Sequence, residues 1–132
     1  IGHGYTYSGH PVGAAAALAC LAETKKLNVV ENAAKRGTQL YNGCKALMEK
    51  YDIIGDVRGG YGLMTAIEMV SDRGTKKPID SAMATTVQEV AYQNGAMVRA
   101  SGPNLILSPS LILTEDDANT LLSAINAGFA AV

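Results

Sequence analysis

Apolar residues recur at intervals of three and four from Val30 through Ala33, Ala34, Gly37, Leu40, Tyr41, Cys44 and Leu47 to Met48. That spacing makes one continuous stripe along a helix, with Lys35, Arg36, Gln39, Lys45 and Glu49 falling largely between the apolar positions. Asn28, with Glu31 three residues on, predicts a capping box at its start. Upstream, Pro11 to Lys26 is rich in alanine, with proline where a first-turn residue needs no donor and lysines in the last turn, and predicts a second helix.

The period changes between Ile53 and Val70, where IIGDVRGG and LMTAIEMV predict two short strands joined by a glycine turn. Ser71 to Ile79 is polar and holds glycine and proline, so it predicts a surface loop; Asp80 then caps a helix running to about Gln93, which Asn94-Gly95 ends. AMVRA and NLILS predict a second hairpin around Ser101-Gly102-Pro103. Thr114 and Asp117 cap a last helix whose core face carries Leu121, Leu122, Ile125 and Phe129. From residue 28 the order is helix, two strands, helix, two strands, helix. This predicts an α+β fold with a small, mainly antiparallel sheet covered on one face by helices. Residues 28–132 form the predicted domain, and residues 1–27 a loop and connecting helix that belong with something else.

A chain of 132 residues, 48% hydrophobic, suffices for one core. Its 11 basic and 12 acidic side chains leave a formal charge of -1, which excludes the electrostatic footprint of a nucleic-acid binder. Cys20 and Cys44 have neither CxxC spacing nor a disulfide framework around them, which favours a reducing cytoplasm. The low-charge run from Tyr5 to Ala22 is broken by His10, Pro11 and glycines, so neither a membrane span nor a signal peptide is predicted. The sequence opens on Ile1 rather than methionine, as expected of a processed, truncated or partly observed molecule.

Candidate chemistry concentrates in Gly-His-Gly-Tyr-Thr-Tyr-Ser-Gly-His-Pro, from Gly2 to Pro11. Glycines free the backbone, hydroxyls cluster at Tyr5, Thr6, Tyr7 and Ser8, and a helix follows whose N-terminal N–H groups could hold a phosphate. The same residues also suit a glycine-rich helix cap that binds nothing. Arg99, flanked by Met97, Val98 and Ala100 on an apolar strand, offers its donor fork either to a carboxylate or to solvent at a sheet edge. Gly59, Gly60 and Gly62 do not complete a GxGxxG, because position 65 is threonine. His3 and His10 are too few for a metal site.

The string HGYTYSGHPVGAAAALA resembles the phosphate-contacting segment of class III aminotransferases. VRGGYGLMTAIEMV and MVRASGPNLILSPSLILTEDD resemble the small-domain strands of the same family, in the same order. Together the three matches span nearly the whole chain. The resemblance implies the carboxy-terminal small domain of a fold-type I pyridoxal 5'-phosphate enzyme of the ω-amino acid:pyruvate type. Thr6 would then contact the cofactor phosphate from the neighbouring subunit of a homodimer, with Tyr5 and Ser8 close by. Arg99 would bind the substrate carboxylate and swing aside for amines lacking one, and Arg58 would form a structural pair with an acidic neighbour.

Where the family carries a second proline after Ser108-Pro109, Ser110 stands here. The family's cofactor-holding lysine lies upstream of the segment matching Thr6. Lys25, Lys26, Lys35, Lys45, Lys50, Lys76 and Lys77 fall instead on predicted helix faces or a loop. An intact enzyme would move an amino group from an ω-amino acid or amine to pyruvate or a similar keto acid. This chain, without the large domain, would be inactive alone. A phosphate-ligand-binding module without chemistry and a dimerisation module are the alternatives.

Overall fold

The structure, a computed structural model, describes residues 2–132. Helix α1 (Pro11–Lys26) runs into α2 (Val29–Lys50), followed by the hairpin of β1 (Ile54–Arg58) and β2 (Thr65–Asp72). A two-residue strand β3 (Lys77–Pro78), helix α3 (Ser81–Gln93), the hairpin of β4 (Arg99–Ser101) and β5 (Asn104–Leu107), and helix α4 (Glu115–Phe129) complete it. The sheet order is β1-β2-β5-β4 with β3 beside β2, and every pairing is antiparallel. Helices α2, α3 and α4 pack together over one face. The expected α+β layer with a small antiparallel sheet is the architecture found.

Side chains alternate across a strand, so register decides what each face carries. Val57, Ile67, Leu105 and Ala100 lie opposite one another in sequence along the sheet order and face the helices. There Leu40 and Cys44 of α2, Val87 and Ala91 of α3, and Ile125 of α4 are fully buried. Burial pushes the Cys44 thiol up to about 12, so it is a packing residue rather than a nucleophile.

Thr65, 2% exposed, is the exception on the covered face: its hydroxyl is buried without a hydrogen-bond partner among the described residues. Such a group keeps the desolvation cost of a hydroxyl and gains nothing for it. Thr65→Val keeps the shape and removes the orphan, and is expected to raise stability by about 1 kcal/mol in urea unfolding.

Asn28 does not cap α2 as expected. Its backbone is left-handed (φ 49, ψ 40), and its side chain makes no cap bond but donates to Glu31. An N-cap needs extended backbone. Here the residue also closes α1, its N–H donating to the Lys25 carbonyl, so the turn between two nearly continuous helices takes the conformation the cap required. The apolar stripe of α2 also departs from expectation: Val30 and Ala34 are exposed while Arg36, expected on the polar side, is 6% exposed. The first turn of α4 packs there, and Arg36 meets Glu115 at 2.9 Å and bonds Gln39. The strand expected from Leu63 begins at Thr65, and the loop expected from Ser71 contains β3, which folds back on the end of β2.

The other caps form as expected. Asp80 accepts from the Ala82 N–H, and Thr114 and Asp117 make a reciprocal capping box. The Thr114 hydroxyl, and after it the Thr114 N–H, hold the Asp117 carboxyl below its ordinary value of 3.8. A carboxyl depressed in the folded state contributes stability above its unfolded value, and that contribution disappears as pH falls through the folded one. Urea midpoints of the wild type should therefore decline as pH drops below 3.8, and Asp117→Asn should remove that part of the decline.

Candidate functional site

The hydroxyl-rich start forms a turn over residues 6–9. The Ser8 N–H donates to the Tyr5 carbonyl at 2.9 Å, and the Tyr5 N–H donates to the Ser8 hydroxyl at 2.9 Å, so two reciprocal bonds close a loop with Thr6 inside it. The Tyr5 hydroxyl is bonded to His3 at 2.7 Å. Of the three residues singled out here, Tyr5 and Ser8 thus use their side chains locally, while the exposed Thr6 hydroxyl has no protein partner among the described residues.

The free N–H groups expected at the start of α1 are fewer than the sequence suggested. Pro11 has none, and His10 accepts from the Gly13 N–H through Nδ1 at 3.3 Å. The Ala14 N–H joins the helix ladder through the His10 carbonyl. No residue of α1 is buried.

Arg99 lies on the sheet face opposite the helices. Register aligns Arg58, Ala66, Ile106 and Arg99 in one row across the four main strands. The two arginines therefore occupy its ends, their backbones about 14 Å apart at ordinary strand spacing. Their surroundings differ. Arg58 bonds Glu68, meets Asp56 at 3.1 Å and donates to the Asn104 side chain at 3.1 Å. Arg58 is thus the structural ion pair expected of it, its pKa raised first of all by the bond to Glu68. Arg99 is exposed and has no hydrogen-bond or ion-pair partner among the described residues. It lines a cleft of about 530 Å³ with Gln88, Met97, Ile106, Ser108 and Pro109.

Gln88 was not singled out by the sequence reading. Its side-chain oxygen accepts the Ala100 N–H at 2.6 Å. The available signal is its position: Ala84, Gln88 and Ala91 share one helix face, and the two alanines are buried.

The structure does not bring Thr6 and Arg99 together. The turn leads into α1, which buries no residue and touches the adjoining start of α2, whereas β4 packs against β5 and α3. The lysines expected at the surface are exposed or half-buried, Lys26 beside Glu23 and Lys50 beside Asn126. Among the described residues no group of three or more His, Cys, Asp or Glu side chains is placed to hold a metal ion, and no helix is long and apolar enough to cross a membrane.

The family model for class-III aminotransferases matches residues 1–129. The chain belongs to the class-III aminotransferase family. Among curated relatives, the taurine–pyruvate aminotransferase of Bilophila wadsworthia is 40% identical over 96% of this chain and 29% of its own length. A probable mitochondrial γ-aminobutyrate transaminase 3 of Oryza sativa subsp. indica is 32% identical over 92% of this chain and 24% of its own. A PLP-bound amine transaminase from an uncultivated Pseudomonas species superposes with a TM-score of 0.89 at 45% identity, covering 99% of this chain and 30% of that one. A thermostable ω-transaminase from Pseudomonas jessenii gives 0.85 at 31% identity, over 99% and 29%. This aminotransferase chain thus spans less than a third of the length of these relatives.

Proposed function

We propose that the chain supplies two binding elements of a pyridoxal 5'-phosphate-dependent transaminase that moves an amino group from an ω-amino acid or amine to pyruvate or a similar keto acid. The observation that carries the reading is the contrast between the two arginines at the ends of one row: one is held by acidic neighbours, and the other is exposed, lines a cleft and has no partner among the described residues. A planar fork suits a carboxylate because two parallel N–H···O bonds fix the acid's position and orientation. Arg99 is assigned to the keto acid carboxylate. The relatives named for taurine and pyruvate, for γ-aminobutyrate and for amines support an ω-amino acid or amine as donor, with pyruvate as one acceptor.

The residues of the N-terminal turn fit one part of the cofactor, its phosphate. Thr6 has a free, exposed hydroxyl, and the turn that holds it is closed by Tyr5 and Ser8. The Thr6 hydroxyl would hold a phosphate oxygen and Ser8 and Tyr5 would keep the loop in shape, while the cofactor, when bound, would supply the carbonyl and ring chemistry of amino-group transfer. Because Thr6 and Arg99 lie on elements that do not touch, one ligand pocket is completed by the rest of the enzyme and by the second subunit of a homodimer. Residues 1–27 belong with the large domain and residues 28–132 form the small one, in a cytoplasmic protein. The covalent lysine comes from outside this sequence, so the chain alone does not turn over.

Two measurements test this. The isolated chain with cofactor, amine and pyruvate should form no alanine. In the full-length enzyme, Thr6→Val should weaken cofactor retention about tenfold or more on dialysis, since a hydrogen bond to a charged group is removed. Unchanged retention would remove Thr6 from the phosphate site.

A further inference from the structure

We infer that Gln88 is a positioning residue for the carboxylate arginine: by capturing the outward N–H of Ala100 it fixes the edge strand that carries Arg99. The inference rests on the carboxylate reading of Arg99 and adds the device that aims it.

Strand β4 is three residues long and lies at the edge of the sheet, with β5 on one side and no strand on the other. Successive N–H groups of a strand point alternately to its two sides, so an edge strand turns part of its donors away from any ladder. The Ala100 N–H is such a donor, and α3 supplies its acceptor through the side-chain oxygen of Gln88 at 2.6 Å. Ala100 is half-buried, so water is a poor substitute for that acceptor.

The bond acts on the residue next to Arg99. It sets the rotation of β4 about its own axis, and hence the direction in which the Arg99 side chain leaves the sheet. Displacements of about 1 Å at a substrate-positioning group are costly in rate or affinity. Register leaves few other restraints, because Arg99 lies opposite Ile106, an apolar neighbour that does not hold a guanidinium. Gln88 lines the same cleft as Arg99, so it acts at the carboxylate end of the site rather than at the phosphate end. Satisfying the Ala100 N–H assigns the oxygen of Gln88 toward the strand, and its amide nitrogen has no partner among the described residues.

The test uses the full-length holoenzyme with Gln88→Leu, which keeps bulk and removes the acceptor, Gln88→Glu, which restores an acceptor, and Arg99→Ala as reference. Steady-state kinetics with pyruvate and with an amine that has no carboxylate are read beside hydrogen exchange over residues 97–103. Gln88→Leu should raise KM for pyruvate about three- to tenfold while kcat and the amine KM stay within about twofold, and it should speed exchange at Ala100. Gln88→Glu should restore slow exchange. If Arg99→Ala raises the pyruvate KM and Gln88→Leu does not, the positioning role is overturned while the carboxylate reading stands. Equal losses for both substrates, tracking a fall in the unfolding midpoint, would reduce Gln88 to a stabilising contact and overturn the inference. An Arg99→Ala enzyme with unchanged pyruvate KM would overturn the carboxylate reading and the inference with it.

Discussion

Replacing Gly37 by alanine is expected to destabilise the protein by about 3 kcal/mol or more, although alanine is the better helix former by about 1 kcal/mol. Steric contact decides the sign. A Cβ built on Gly37 lies 2.0 Å from the Gly62 carbonyl oxygen and 2.4 Å from its carbon. That carbonyl belongs to the loop joining β1 to β2, where Gly62 has a φ of +101, a region that favours glycine. The obstacle is backbone and cannot turn aside without remaking the loop. Gly43 on the same helix provides the control: its Cβ would meet the Leu122 side chain at 2.4 Å. A leucine can change rotamer, so Gly43→Ala should cost less. Urea midpoints of the two variants check the order, and a Gly37→Ala protein as stable as the wild type would contradict the packing of α2 on this loop.

The largest functional effect is expected at the far end of the sheet. In the full-length enzyme Arg99→Ala should raise KM for pyruvate about ten- to a hundredfold, the range of a lost hydrogen bond to a charged group, and should spare an amine without a carboxylate. Arg58→Ala should leave both KM values unchanged. Arg58 is already engaged by Asp56, Glu68 and Asn104 on a half-exposed surface, where ion pairs contribute little net stability. Equal KM changes for the two arginines would show that net charge on the open face, and not a placed donor fork, governs acid binding.

Periodicity made most of the architecture legible. α1 begins and ends where proline and lysine predicted, and Asp80 and Thr114 open α3 and α4 through the cap bonds their spacing implied. Both hairpins follow from alternation and glycine turns. The misreadings arise where a neighbouring element overrode a local preference. Asn28 serves a helix-to-helix turn instead of a cap, and Arg36 is drawn inside because α4 brings Glu115 to it.

At the site, residue types pointed to Thr6 and Arg99, but only the folded chain separates engaged side chains from free ones. Ser8 and Tyr5 carry the same hydroxyl chemistry as Thr6 and differ from it by a local hydrogen bond each. Gln88 was hidden because its role depends on an edge strand that becomes its neighbour only after folding.

The parity of the strands has an evolutionary consequence. In β2 and β5 the odd positions Thr65, Ile67, Leu105 and Leu107 face the helices, and the even positions Ala66, Glu68, Asn104 and Ile106 face the other way with Arg99. Neighbouring codons thus answer to different selection, one set to cohesion and the next to the chemistry of the open face. A lineage can therefore remodel the open face by changing alternate letters of the same short strands, leaving the scaffold beneath untouched.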